Sequence, residues 1–271
     1  MTMEIIEQAL VSKSPKVKPE DGIIITDNFI AVIDGSTSKT DKRFSRWKSN
    51  GRYCMQIIGK YISKMPKDIR FEQFVNGVTM AVRKKYKDSQ IEYLLAHPED
   101  RLTASCIVFS RVQRQIWMIG DCQCLVGDSY YNNPKPYEEE IANKRAGIIA
   151  DMLANGHSTV SQLRAHDTAR DAVIPDLIAT MKNQNITYSV VDGFKIPIDK
   201  THVITLDFKP WTIVLASDGY PFLKPTLKES ESFLDSQLRE DPLNIHAFKA
   251  TKAFIEGNNS FDDRAYIRFK I

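Results

Sequence analysis

The sequence is short of the side chains that most often carry covalent or soft-metal chemistry. It has four cysteines, Cys54, Cys106, Cys122 and Cys124, and five histidines, His97, His157, His166, His202 and His246, in 271 residues. So sparse a set of cysteines suits buried reduced thiols better than a disulfide framework. Cys122 and Cys124 stand two apart on an expected strand, hence on one face, and no second pair completes a zinc site. The histidines show no ligand spacing, and no cysteine or histidine stands in a nucleophile and base constellation. Long apolar runs are missing too: none approaches the roughly twenty residues needed to cross a bilayer. The Met1-Thr-Met-Glu start has neither a basic leader nor a signal-type apolar stretch, so no membrane role is expected and a cytoplasmic location is the default. An excess of one charge is also lacking. Lys and Arg number 37 against 34 Asp and Glu, a net +3, and the basic residues are spread rather than blocked, which leaves nucleic-acid binding unsupported. There is no internal repeat and no low-complexity tract.

What is present suits a folded globular chain. Hydrophobic residues make up 42% and charged ones 26%, and the length allows a sizeable core in a single domain over 1–271. Residues 4–13 read as a strand, and 22–26 and 29–34 as two more joined across Asp27-Asn28 in a short hairpin. A helix is expected over 44–65, stopping before Pro66. A second follows with Asp68 as its cap and Phe71, Phe74, Val75, Val78 and Val82 in a stripe at steps of three and four. Residues 102–109, 115–120 and 122–126 read as an antiparallel meander of three strands. From 136 to 185 the text turns helical and polar, as an insertion or lid near the sheet edge would. Strands are expected at 186–191, 202–207 and 211–217, helices at 227–238 and 245–255, and a closing strand at 264–271. Runs of strands broken by helix pairs favour α+β over a doubly wound sheet, and about ten strands would split into two packed layers.

The candidate chemistry lies at strand ends. Phe29-Ile-Ala-Val-Ile-Asp34-Gly35 is an unbroken apolar run delivering a carboxylate at a tight turn, and Thr212-Ile-Val-Leu-Ala-Ser-Asp218-Gly219 repeats the device. Ser260-Phe-Asp262-Asp263 precedes the last strand. Three carboxylates brought together repel one another unless a cation sits among them, and all-oxygen ligands select hard ions such as magnesium or manganese. Three unrelated turns would read the same way.

Taken in order, Glu20-Asp21, Phe29 to Gly35, Arg101-Leu-Thr-Ala-Ser-Cys-Ile-Val, Trp117-Met-Ile-Gly-Asp121, Leu215-Ala-Ser-Asp218-Gly219 and Phe261-Asp262-Asp263 resemble the successive motifs of the metal-dependent type 2C protein serine/threonine phosphatases, over nearly the whole chain. The resemblance implies a four-layer α-β-β-α sandwich with two central antiparallel sheets, and a site for two Mn2+ or Mg2+ ions at one end of them. It implies that Asp34 bridges both ions, that Asp218 and Asp262 complete one, and that the Gly35 carbonyl and Glu20 hold the other. Asp21 would act through bound water and Asp121 would belong to a third-ion site, while Lys16 stands where relatives have a phosphate-binding arginine. The implied activity is hydrolysis of phosphoserine and phosphothreonine in a protein substrate by a metal-bridging hydroxide. Two cations roughly 4 Å apart lower the proton affinity of a shared water and neutralise phosphate charge, so no protein nucleophile is required.

The departures matter. Where many relatives have Asp-Gly-His-Gly, this chain has Asp34-Gly35-Ser36-Thr37, and a serine hydroxyl is too weakly acidic to protonate a leaving group. The aspartate that would join Asp121 at a third ion is Phe222. A two-ion site with Asp121 at its margin, and slow or narrowly specific turnover, are therefore expected. Two other phosphatase families with Asp-Gly near an N-terminal strand need a second aspartate at position 32 or 31, where this chain has Val32 and Ala31. The rival reading is a phosphatase-like fold that has lost turnover and serves as a binding or regulatory domain.

Overall fold

Every residue of the third strand from Phe29 to Ile33 is buried, because the strand has a core on both of its faces. The computed structural model describes residues 3–271. In chain order its strands are β1 (Glu4–Val11), β2 (Gly22–Ile25), β3 (Phe29–Gly35), β4 (Ala104–Ser110), β5 (Gln115–Ile119), β6 (Gln123–Val126), β7 (Ser129–Tyr131), β8 (His202–Thr205), β9 (Thr212–Ala216) and β10 (Arg264–Lys270). The α-helices are α1 (Asn50–Ile62), α2 (Phe71–Arg83), α3 (Ile91–Ala96), α4 (Glu138–Ala154), α5 (Val160–Ala165), α6 (Thr168–Met181) and α7 (Leu227–Glu240). Two five-stranded antiparallel sheets form, in the orders β2-β3-β4-β5-β8 and β1-β10-β9-β6-β7. The α+β class read from the sequence, with two central antiparallel sheets, is the observed one.

Side chains alternate across a strand, and that period of two divides β3, β4 and β5 between two cores. Phe29, Ala31, Ile33, Cys106, Val108, Trp117 and Ile119 face α1 and α2, whose stripes of Cys54, Ile58, Phe74, Val75 and Val78 complete this layer. Trp117 is fully buried and stacks on Phe74 with ring centroids 5.2 Å apart, a contact of about 0.5–1.5 kcal/mol beyond its buried area. Ile30, Val32, Ile107, Phe109, Ile116 and Met118 point the other way, into a core shared with Cys122, Cys124, Leu215, Ile267 and Phe269 of the second sheet. All four cysteines are buried and free, with Cys122 and Cys124 in the same core as their spacing requires. The outer face of the second sheet is covered by Tyr220, Leu223 and, at the start of α7, Leu227.

Several expectations are corrected. The proposed meander breaks after β5: β4 pairs with β5, but β6 pairs with β9 and β7 in the other sheet. A buried strand with both faces apolar does not declare which sheet it joins, and the Gly120 turn carries the chain across. Residues 245–255 hold no helix; they form a loop whose Ile245 and Ala253, with the preceding Leu243, pack on Ile149 and Leu163 of α4 and α5. Residues 186–191 contribute isolated bridges rather than a strand. The first helix begins at Asn50, where Ser49 Oγ accepts from Arg52 N at 3.4 Å, not at Phe44. The second is opened by Arg70, whose N–H donates to Gln73 Oε1 at 3.0 Å, rather than by Asp68. Residues 138–181 are helical, divided into α4, α5 and α6. None of the helices among the described residues is long and apolar enough to cross a membrane.

Candidate functional site

Three aspartates meet where the ends of the two sheets open into a common cleft. Asp34 comes from the end of β3, Asp218 from just beyond β9, and Asp121 from the turn that carries the chain between the sheets. One carboxylate oxygen from each lies within 4.8 Å of the other two. The backbone makes this meeting possible. Gly120 adopts φ +82°, the left-handed region that glycine tolerates, and a Cβ there would collide with Ser105, which stands opposite Asp34 in the β3–β4 register. With the glycine in place, Ser105 Oγ donates to Asp121 Oδ1 at 2.5 Å. Asp218 is held from behind: Gln123 Nε2 donates to the carbonyls of Ser217 at 2.9 Å and Tyr220 at 2.8 Å, and Ala265 N donates to Ser217 Oγ at 2.9 Å.

The carboxylates divide into two electrostatic groups. Burial, then the neighbouring charges of Asp218, Asp21, Asp121 and Asp262, push Asp34 well above the usual aspartate range. Burial and Asp121 and Asp262 likewise push Asp218 up to about 7, against the opposing pull of Lys252 and Lys135. Asp21 is raised too, by burial and by Asp262, Asp263 and Asp218, with a Ser217 hydrogen bond working the other way. At Asp121 burial favours the proton, but the Lys135 ammonium and the Ser105 hydroxyl outweigh it and keep the group ionised. Asp262 behaves similarly: Lys252 and Lys13 overcome its burial. Lys135 Nζ bonds to Asp121 Oδ2 and lies 3.5 Å from Glu138 in the first turn of α4; Lys252 Nζ bonds to Asp262 Oδ2.

The residues singled out by sequence fall into four places. Asp34, Asp218 and Asp121 form the cluster. Glu20 and Asp21 are buried beside it. Glu20 Oε1 and Asp21 Oδ2 have no hydrogen-bond partner. Gly35 is where the Glu20 backbone, the end of β3 and the start of α1 close on one another; a Cβ there would collide with Gly51 and Glu20 carbonyls. Asp262 is drawn to Lys252, and Lys13 lies 3.9 Å from it. Its neighbour Asp263 is structural, accepting from Lys13 N at 2.7 Å and Glu20 N at 2.9 Å. Lys16 is exposed and does not reach the cleft; Lys13 does, with Nζ 3.6 Å from Glu20 Oε2.

Sequence reading missed Lys13, Lys135, Lys252, Ser105 and Gln123. No local pattern marks them, since each meets its partner through a turn or loop rather than at a helical or strand spacing. Phe222, standing where a third-ion aspartate was sought, joins an aromatic row with Phe233 and Phe248, and Phe248 packs on Phe261. Phe248 and Phe261 line one wall of the cleft, whose volume is about 840 Å³. The donor set fits a hard divalent cation: only oxygens, crowded like charges, and two buried carboxylate oxygens with nothing to bind.

No protein-family model matches the sequence, and a search of curated proteins finds no match. The chain is similar in structure to the catalytic domain of serine threonine protein phosphatase PstP in complex with two manganese ions, at 10% identity and TM-score 0.47, over 99% of this chain and 98% of that one. It is also similar to RsbX in complex with magnesium, at 13% identity and TM-score 0.48 over 99% and 98% of the two chains. Serine/threonine phosphatase Stp1 from Staphylococcus aureus is a third, at 14% identity and TM-score 0.45 over 98% and 95%. At that distance the chain's own residues have to carry any assignment of function.

Proposed function

We propose that the protein is a metal-dependent phosphomonoester hydrolase that acts on phosphoserine and phosphothreonine in protein substrates. The convergence of Asp34, Asp121 and Asp218 from three strand ends of two sheets carries this reading. Asp34, Asp121 and Asp218 would hold one divalent ion, manganese or magnesium. Glu20, Asp21 and the Gly35 carbonyl are the candidates for a second, and Asp262 would join once Lys252 moves aside. Ions held there neutralise phosphate charge and lower the proton affinity of an attacking water. Asp121 is kept ionised by Lys135 and Ser105, and Lys135 would give way to a cation there as Lys252 would at Asp262. Lys13 would serve as a point charge beside the cluster for a phosphate oxygen, the part the resemblance implies for Lys16. Its own charge is secured by Asp262, Asp263 and Glu20, which overcome its burial. Ser36 lines the cleft but supplies no useful acid, so an aryl phosphate, whose leaving group needs no protonation, should be cleaved faster than a phosphoserine peptide.

The test is hydrolysis of an aryl phosphate with and without manganese or magnesium. Turnover should require the metal, and Asp34→Asn or Asp218→Asn should lower it by about 100-fold or more, the upper range seen when even indirect support of a metal is lost. A second reading is favoured by one observation: ammonium groups already occupy Asp121 and Asp262. In that reading the lysines replace the metal and the domain binds rather than hydrolyses. Absence of turnover with either metal on aryl phosphates and phosphopeptides alike would select it.

A further inference from the structure

Among the described residues, three cations of the cleft have no carboxylate at ion-pair distance: the exposed Lys249, which donates to Asn143 Oδ1 at 2.8 Å, and the part-buried Lys39 and Arg170. Lys135 and Lys252 are each spent on a carboxylate, Asp121 and Asp262. Lys39 and Arg170 also line the cleft, and among the described residues neither has a carboxylate at ion-pair distance. Lys39 lies in the link between β3 and α1, and its Nζ donates at 2.6 Å to the Thr37 carbonyl of the same link. Arg170, in the first turn of α6, donates through Nη1 to Thr251 O at 2.6 Å and to Thr251 Oγ1 at 3.3 Å.

The platform under Arg170 is rigid. Arg145 is fully buried and clasps Asp167, with Nη2 to Oδ2 at 2.7 Å, and donates to the carbonyls of Leu243 and Ala250. Asp167 in turn accepts from Ala253 N at 2.8 Å and from Arg170 N at 3.0 Å. The 243–253 loop and the start of α6 are thereby one unit, and Arg170 sits on it facing the cleft. Such a site is preorganised for an anion rather than shaped by one. The electrostatics agree: burial, then repulsion from Arg170, Lys252 and Lys135, brings the proton affinity of Lys39 down to about 7, and Asp262 offsets this only in part. A second negative charge entering the cleft would relieve that repulsion.

We propose that Lys39 and Arg170 form a second anion-binding subsite in this cleft, which takes a carboxylate or a second phosphate of the phosphopeptide whose ester lies at the aspartate cluster. The inference rests on the hydrolase reading for the identity of the first group, and it names the substrate class: acidic or multiply phosphorylated peptides. A cleft of about 840 Å³ is larger than one phosphate ester needs and leaves room for neighbouring side chains.

The experiment uses the full chain and three fluorescent phosphoserine peptides that differ only beside the phosphoserine, where they carry acidic residues, a second phosphoserine, or their neutral amides. Binding is read by fluorescence anisotropy with manganese present, on peptides whose phosphates are replaced by non-hydrolysable phosphonates so that it does not depend on turnover, and aryl phosphate hydrolysis with manganese is read in parallel. Wild-type protein should bind the acidic or the doubly phosphorylated peptide about tenfold tighter than the neutral one, as expected for a desolvated charge pair. Whichever of the two is preferred identifies the anion. Lys39→Gln and Arg170→Gln should each remove most of that preference and Lys39→Arg should keep it, while aryl phosphate hydrolysis stays within about twofold. Arg170→Gln can unseat the 251–253 loop; if it melts early, Lys39→Gln, which gives up only a contact within its own link, decides alone. Equal binding of all three peptides by wild type, or a preference that survives Lys39→Gln, overturns the subsite. Failure to hydrolyse any aryl phosphate would instead remove the hydrolase reading, and the anisotropy result would still decide the subsite.

Discussion

A buried carboxylate must find a proton, a cationic side chain or a metal ion, and the cleft shows the first two within a few residues. Asp34, Asp21 and Asp218 are driven toward the proton, whereas Asp121 and Asp262 are held ionised by lysines. The same division separates two lysines that look alike in sequence. Lys13 stands among Glu20, Asp262 and Asp263 at the cleft, and Lys16 is solvated. Lys13→Met should therefore lower kcat/KM for a phosphorylated substrate by about tenfold or more, as loss of a charge-assisted contact to phosphate does, while Lys16→Met leaves it within about twofold. Steady-state kinetics on the two variants separates them. Asp34 and Asp218 could be read from sequence because each ends an apolar strand at a turn. Lys13, Lys135 and Lys252 could not, because their roles exist only through carboxylates that loops rather than a helical or strand period bring to them.

Among the elements, the turn between β5 and β6 does most to build the site. It changes sheets, sets Asp121 opposite Asp34, and depends on a glycine at φ +82° pressed against Ser105. Gly120→Ala should destabilise the fold by about 1–3 kcal/mol and displace Asp121, to be seen as a lowered urea midpoint together with weakened manganese binding in calorimetry. The helices beside the cleft depend on a different device. Arg145 is buried on α4 and forked onto Asp167, so Arg145→Met leaves a buried carboxylate unpaired and should cost about 3–5 kcal/mol in chemical denaturation. Apolar runs made β2 to β5 readable, and helical stripes made α1 and α2 readable apart from where each helix begins. The 245–255 segment misled, since its apolar residues seat on α4 and α5 as a loop and need no helical period. The sheet change after β5 was hidden for a related reason: strands buried on both faces carry no alternation to say which partner they take.

For the molecule as a whole, the crowded carboxylates make stability depend on pH in a direction opposite to ordinary acid unfolding. Asp34, Asp21 and Asp218 hold protons in the folded chain that they release when it unfolds, so the metal-free protein should lose stability as pH rises from the usual aspartate range of 3.8 toward about 7. Asp121 and Asp262, held low, contribute stability that is lost only on acidification below that range, and Lys39 acts above it. Thermal melts of chelator-treated protein should accordingly show a falling Tm between about pH 4 and pH 7. Added manganese should restore more at the upper end, because it binds the deprotonated carboxylates of the folded state. The central claim is that acidic groups from three strand ends hold a divalent cation for phosphate chemistry. Anomalous diffraction at the manganese edge, on crystals grown with the ion, tests it most directly. The account predicts a peak between Asp34, Asp121 and Asp218; a cleft with no peak there, and with Lys135 and Lys252 still seated on Asp121 and Asp262, would contradict it.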